Sequence, residues 1–197
     1  MPDPLCLSLW FPGFAEREMM PRMVSVLRQF PFSQQKPGIS YLALHPVSWS
    51  EPTILERKFS PGLRSEEAAE IASDLLHDDY AYVFDAYWDL WSLKYDHQQW
   101  SLRPSQVRFI AQGEDFDEGT FQETGHIQVD FGLDAPFLHE EVSLTGEAEE
   151  HVRVNVHKLV DFTIKAEKNT GASGRLLWSE SRENLAQKLI ARLQKVQ

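Results

Sequence analysis

Twelve consecutive residues, Tyr80 to Trp91, read Tyr-Ala-Tyr-Val-Phe-Asp-Ala-Tyr-Trp-Asp-Leu-Trp, and how they fold decides the class of the whole chain. Tyr80, Tyr82, Phe84, Ala86, Trp88 and Leu90 are apolar at a spacing of two, the period of a strand with one buried face. Tyr80, Phe84, Tyr87, Trp88, Trp91 and Tyr95 also fall at helical spacing. Aromatic residues suit the pleated surface of a sheet, and the elements before this segment leave room for one more strand. The expectation is a strand over 80–91.

Those preceding elements are read from period and punctuation. Leu5 to Phe11 is a short apolar run closed by Pro12-Gly13, a buried strand. Met20, Met23, Val24, Leu27 and Phe30 recur at three- and four-residue spacings, which predicts a helix over 15–30 that starts or kinks at Pro21. Ile39 to Val47 and Thr53 to Phe59 read as two strands about a turn at Ser50-Glu51-Pro52. Ser65 is a candidate N-cap for a helix whose Glu66 and Glu67 suit the positive end of the dipole. With 80–91 the order is β-α-β-β-α-β, the ferredoxin-like pattern, which hosts many unrelated functions.

Past residue 100 the texture changes. Val107, Phe109 and Ala111 alternate with Gln106, Arg108 and Gln112, as Ile127, Val129 and Phe131 alternate with His126, Gln128 and Asp130. Both are half-buried strands, paired antiparallel through the loop 113–125. Val152, Val156, Leu159, Val160 and Thr163 form a stripe on a long helix from Glu147 to about Lys168. A short strand Arg175–Trp178 and a helix over 181–195 with Leu185, Leu189 and Leu193 inward complete the pattern. The expectation is one α+β domain over 1–197, with a possible sub-boundary near 100, its helices on a mainly antiparallel sheet.

Composition narrows the function classes. Hydrophobic residues at 42% with 25% charged place the chain among globular proteins rather than disordered ones. Nothing approaches the ~20 apolar residues needed to span a bilayer, and Leu5–Phe11 is too short for a signal core, with no basic residue before Arg17. The lone Cys6 cannot form an internal disulfide, which favours a reducing compartment, so a cytoplasmic protein is expected. There is no GxGxxG, Walker loop, HExxH, CxxC or GxSxG, and no cofactor is implied.

Charge supplies the strongest asymmetry. Residues 109–152 hold no Lys or Arg and twelve acids, in a chain of formal charge −11. Such a stretch attracts basic surfaces and repels the phosphate backbone of nucleic acid. Its densest part is Gly113-Glu114-Asp115-Phe116-Asp117-Glu118-Gly119. The calcium reading fails on spacing: counting from Asp115, the bidentate-acid position is His126. Phe116 reads as an anchor for the loop or a partner contact.

Three further groups could carry chemistry. Asp85 and Asp89 lie roughly 13 Å apart on a strand, too far to share a proton, and flank Trp88 and Trp91 as a stacking groove or, on the plainer reading, solvated acids beside a core. His126 and Asp130 share a polar sheet face beside Arg108, suited to general-base chemistry or to a cross-strand Arg108–Asp130 pair. His157 and Asp161 have helical ligand spacing but too few partners for a metal. The leading expectation is an interaction module, not an enzyme, that meets a basic protein partner through its acidic region. The competing one is a small hydrolase or ligand-binding enzyme using His126 and Asp130 or the Asp85–Trp88–Asp89 groove. A third is an oligomer subunit built around exposed Trp88, Trp91 and Trp100. Oligomeric state is not legible from sequence.

Overall fold

The computed structural model describes residues 2–94, 99–139, 146–180 and 184–194. Tyr95, Glu140, Glu141 and both ends of the helix expected over 181–195 lie outside the described residues. Seven strands, β1 (Pro4–Trp10), β2 (Ile39–Pro46), β3 (Leu55–Leu63), β4 (Tyr80–Lys94), β5 (Gln99–Gln112), β6 (Ile127–Leu133) and β7 (Gly174–Ser179), form one antiparallel sheet. Among the described residues six α-helices pack on it: α1 (Glu16–Leu27), α2 (Ser65–Ser73), α3 (Phe121–Thr124), α4 (Ala135–Leu138), α5 (Glu147–Lys168) and α6 (Leu185–Leu193). The Tyr80–Trp91 segment is a strand, and its alternation holds: Tyr82, Phe84, Ala86, Trp88 and Leu90 all face the core.

The α+β class holds, but the sheet order is β3-β2-β4-β5-β6-β1-β7. Alternate strands of an antiparallel sheet are parallel, so β3 and β4 run parallel around β2 and form one split β-α-β unit with α2. The other half of the ferredoxin-like expectation is not seen. β5 and β6 stand between β4 and β1, so the connection from β1 through α1 to β2 reaches across β4, β5 and β6. Two local details also differ. Helix α1 begins at Glu16, five residues before Pro21. Helix α2 is capped at Arg64, whose backbone N–H donates to Glu67, and Ser65 is its first helical residue.

One face of the sheet carries Leu5, Leu7 and Leu9, Leu42 and Leu44, Val107, Phe109 and Ala111, and Ile127, Val129 and Phe131. They share a core with Met19, Met20, Met23, Val26 and Leu27 of α1 and with Val152, Val156, Leu159 and Phe162 of α5. Phe30 is its hub: stacked on Trp88 at 5.5 Å, and edge-on to Phe109 at 5.0 Å and Phe162 at 5.4 Å. Each such pair contributes about 0.5–1.5 kcal/mol beyond burial.

The opposite face is read off the register as a single cross-strand row: Lys58, Tyr41, Asp85, Arg108, Asp130, Cys6 and Trp178, one residue from each strand. At about 4.8 Å per strand this row crosses the whole sheet. Among the described residues, no helix is long and apolar enough to cross a membrane.

Candidate functional site

Three loops converge at the end of the sheet where β2 and β5 finish and β4 begins. Val47 joins them: its N–H donates to Asp79 O at 2.7 Å, and its own carbonyl accepts from Asp117 N at 2.8 Å. Asp115 N donates to Asp78 O at 3.0 Å, and Gly113 N to Tyr80 O at 2.9 Å. Phe116 points inward, fully buried, as the anchor that its position in the loop implied. The indole of Trp49 stands edge-on to it at 5.0 Å and also meets the His45 ring at 4.9 Å, yet remains 41% exposed. Val47 and Ile54 beside it are exposed as well.

The backbone here is strained. Val47, Asp117 and Glu118 take φ of 62°, 47° and 58°, in the left-handed region that a β-branched residue avoids most strongly. Such positions cost on the order of 1–3 kcal/mol each and persist only where surrounding contacts over-determine them.

Segments 44–55, 77–80 and 113–119 together hold seven acids and no Lys or Arg. Glu51, Asp78, Asp115 and Glu118 are exposed, with no ion pair among the described residues. The acidic stretch does not stay together, however. Glu147, Glu149 and Glu150 lie in the first turn of α5, where they pair with His151 and Arg153. His151 stacks on Trp91 at 3.9 Å, eleven residues up β4 from Tyr80 and so roughly 36 Å away. Among the described residues, the acids of 113–119 and those that open α5 therefore lie far apart and do not form one continuous patch.

His126 and Asp130 are not brought together. The His126 ring is buried between Phe14 (4.7 Å) and Phe121 (4.6 Å), and its Nδ1 accepts from Phe11 N at 2.9 Å. That bond leaves the proton on Nε2, which lies 3.3 Å from Glu114 Oε1 without hydrogen-bond geometry. Burial lowers its pKa, and the nearby Glu114 carboxylate offsets part of the fall. Asp130 stays in the polar row, where its Oδ1 accepts from Gly132 N. Next to it, burial pushes the Cys6 thiol up to about 11, so it remains protonated at neutral pH.

Arg108 is the register partner of Asp130, as expected, but its side chain turns the other way. Its Nε and Nη2 fork onto Asp85 at 2.8 and 2.9 Å, and Gln106 Nε2 adds a third donor at 2.9 Å. Asp85 is nearly buried, so this fork leaves neither carboxylate oxygen unpaired.

Asp89, on the same face, ties down the chain after α1: it accepts from Ser33 Oγ at 2.6 Å and Gln34 N at 3.0 Å. Ser33 Oγ in turn accepts from Gln35 N and Lys36 N. Lys158 reaches Asp89 from α5, donating to its carbonyl at 2.5 Å.

Trp88 is fully buried, so it is a core residue and not an open stacking platform. Trp91 is half-buried against His151, and its backbone N–H and C=O bond the carboxamide of Asn155. Trp100, also half-buried, packs beside His139 and His151. The three tryptophans thus form no exposed patch. His157 is exposed and Asp161 pairs with Lys165. Among the described residues no group of three or more His, Cys, Asp or Glu is placed to hold a metal.

Burial lowers the pKa of His45, His126 and His139 together. A histidine whose folded pKa is depressed contributes stability above the ordinary value of 6.5 that is lost as pH falls through the folded value. The melting temperature is therefore expected to be lower at pH 5 than at pH 7.5. His126→Phe should flatten part of that slope, and a profile flat from pH 7.5 to 5 would contradict the assignment of neutral, buried rings.

No protein-family model matches the chain, and comparison with curated proteins and with solved structures returned no match.

Proposed function

We propose that this chain is an interaction module that docks a basic protein partner on the three-loop surface centred on Trp49. One observation carries the reading: a partly exposed indole, propped on the buried Phe116, stands among three loop segments that hold seven acids and no Lys or Arg of their own. Tryptophan is enriched among residues that dominate binding energy. Complementary charge adds on-rate and specificity. The backbone hydrogen bonds from Val47 to Asp79 and from Asp117 to Val47 hold the loops together, which reduces the ordering cost of association.

The acidic-surface expectation is thereby narrowed from 109–152 to Glu114, Asp115, Asp117 and Glu118, joined by Glu51 and Asp78 from loops that sequence alone did not connect to them. Binding is preferred to catalysis because the groups nominated for acid–base work are engaged in holding the fold: His126 between two rings, Asp85 by three donors, Asp89 by a serine and a backbone amide. The single protonated cysteine suits a reducing compartment, and the cytoplasm is the place proposed for it.

The test is capture from the source cell's lysate with wild type, with Trp49→Ala, and with Glu114, Asp115, Asp117 and Glu118 replaced by their amides. A basic protein retained by wild type, released by salt and lost from both variants is the expected result. Trp49→Ala removes two ring pairs, with Phe116 and His45, and should cost about 1–3 kcal/mol while leaving the Phe116 anchor in place, so a thermal melt accompanies the capture. Retention of the same partners by both variants would remove the proposal.

A further inference from the structure

We infer that the polar face of β2, β4 and β5 holds a second binding site, separate from the three-loop surface, that takes a small molecule bearing an oxyanion. A cavity of about 990 Å³ opens there, at the upper end of the range of small-molecule sites. Its floor is Tyr41, Asp85, Tyr87, Gln106 and Arg108. One wall is the loop 35–37, pinned from behind by the Ser33–Asp89 network. The other wall is β3 from Lys58 to Gly62.

The two walls are clamped where they meet. A Cβ on Gly62 would lie 2.3 Å from Pro37 O, and one on Gly38 would lie 2.4 Å from Leu63 O. Only glycines allow the backbones this close, so the mouth of the cavity has a set width.

Its chemistry follows from counting donors. Arg108 has five N–H groups, of which Nε–H and one on Nη2 are taken by Asp85. Three remain, and the guanidinium is held at a fixed angle by a carboxylate that is itself nearly buried. The hydrogen bonds to Asp85 raise the Arg108 pKa above its ordinary value against the opposing effect of burial, so the group stays cationic. Lys36 and Lys58 add two ammonium groups at the rim; Lys36 Nζ sits 4.5 Å over the Tyr87 ring.

Against these three cations the lining offers Asp85, whose oxygens are occupied, and Glu56 at the rim beside Tyr41. The lining thus carries three cations against two carboxylates, with Asp130 the further acid that acts on Arg108, in a chain whose overall charge is −11. A planar fork with spare donors matches carboxylate and phosphate oxygens, and the flanking Tyr41 and Tyr87 rings give such a ligand an apolar side.

Two probes separate the sources of the oxyanion: inorganic phosphate and benzoate, each titrated calorimetrically into the full chain. The expected result is saturable binding of at least one, weakened about tenfold or more in the Lys36→Gln/Lys58→Gln double variant, since charge-assisted bonds to an oxyanion are among the strong ones. Both lysines are exposed, so the variant should melt with wild type, and preference for one probe names the oxyanion. Trp49→Ala should leave this binding unchanged, which keeps the fate of this site distinct from that of the loop surface. Failure of both probes to saturate wild type, or equal binding by the double variant, would overturn the inference.

Discussion

Trp88→Ala will destabilise the fold by about 3–5 kcal/mol, the range for removing a large aromatic side chain from a packed core. The indole is fully buried, stacked on Phe30 at 5.5 Å and Phe131 at 5.3 Å and tilted against Phe137 at 5.9 Å. Those rings come from the chain after α1, from β6 and from α4, so the cavity left by alanine has no single neighbour able to move in and fill it. The same residue offers a sharper contrast. Trp88 Nε1 is buried with no hydrogen-bond partner among the described residues, and an unsatisfied buried donor carries its own penalty of about 1–3 kcal/mol. Phenylalanine keeps most of the stacking and removes the orphan N–H, so Trp88→Phe should cost well under half of what alanine costs. Chemical denaturation of the three proteins measures both differences. Equal losses for Phe and Ala would mean that the smaller ring recovers none of the stacking and that the loss of the orphan N–H brings no relief.

Gly113→Ala is expected to cost more than about 3 kcal/mol, an unusually large loss for the addition of one methyl group. A Cβ at Gly113 would lie 2.0 Å from Asp78 O and 2.4 Å from Asp78 C. These are backbone atoms, so no flexible side chain can swing away. The backbone must part, and with it go the Gly113–Tyr80 and Asp115–Asp78 hydrogen bonds that seat the acidic loop. Gly119 in the same loop is the control. It has a φ of 79° but meets nothing closer than 3.6 Å, so Gly119→Ala should lose only about 1 kcal/mol from backbone strain. Thermal melts give the stabilities. Amide exchange at Asp115 and Asp117 should accelerate strongly in the first variant and little in the second. Similar losses in the two would show that a small backbone shift relieves the close approach at Gly113.

Much of the element pattern could be read from period alone, because each strand and helix buries one face. β1, β2 and β4 to β7, the two long helices and the buried stripe Val152–Val156–Leu159–Thr163 all carried that signal. Sheet order carried none. β1 lies between β6 and β7, and no local feature of Leu5–Phe11 names either neighbour.

The site was legible in the same uneven way. Arg108 and Asp130 do face each other in register, but the fork goes to Asp85 on the other side, which is more buried and so gains more from a partner. His126 precedes β6 instead of belonging to it, and Phe14 and Phe121 enclose it; the aromatic pair Phe11 and Phe14 around Pro12-Gly13 was the available clue. Trp49 carries no signal in the sequence, because a lone tryptophan beside a Ser-Glu-Pro turn has no periodic neighbours. The left-handed Val47 that links its loop to Asp117 leaves no mark in sequence at all. Tyr41 and Lys58 entered the polar row only through a shift of register at Ser40, which alternation cannot foresee.

The place of β1 has a consequence for how the chain reaches this state. Leu7 pairs with Val129 on one side and Leu177 on the other, each more than a hundred residues downstream. On a ribosome β1 is made before both of its neighbours and must wait, unpaired, for them, while β4 and β5 can close as a hairpin as soon as they emerge. Non-local pairing of this kind slows folding. The waiting segment, Leu-Cys-Leu-Ser-Leu-Trp-Phe, is an apolar stretch of the sort that aggregates when its edges are bare. Yield in cells should therefore depend on chaperone supply and growth temperature more than the finished protein's stability would suggest.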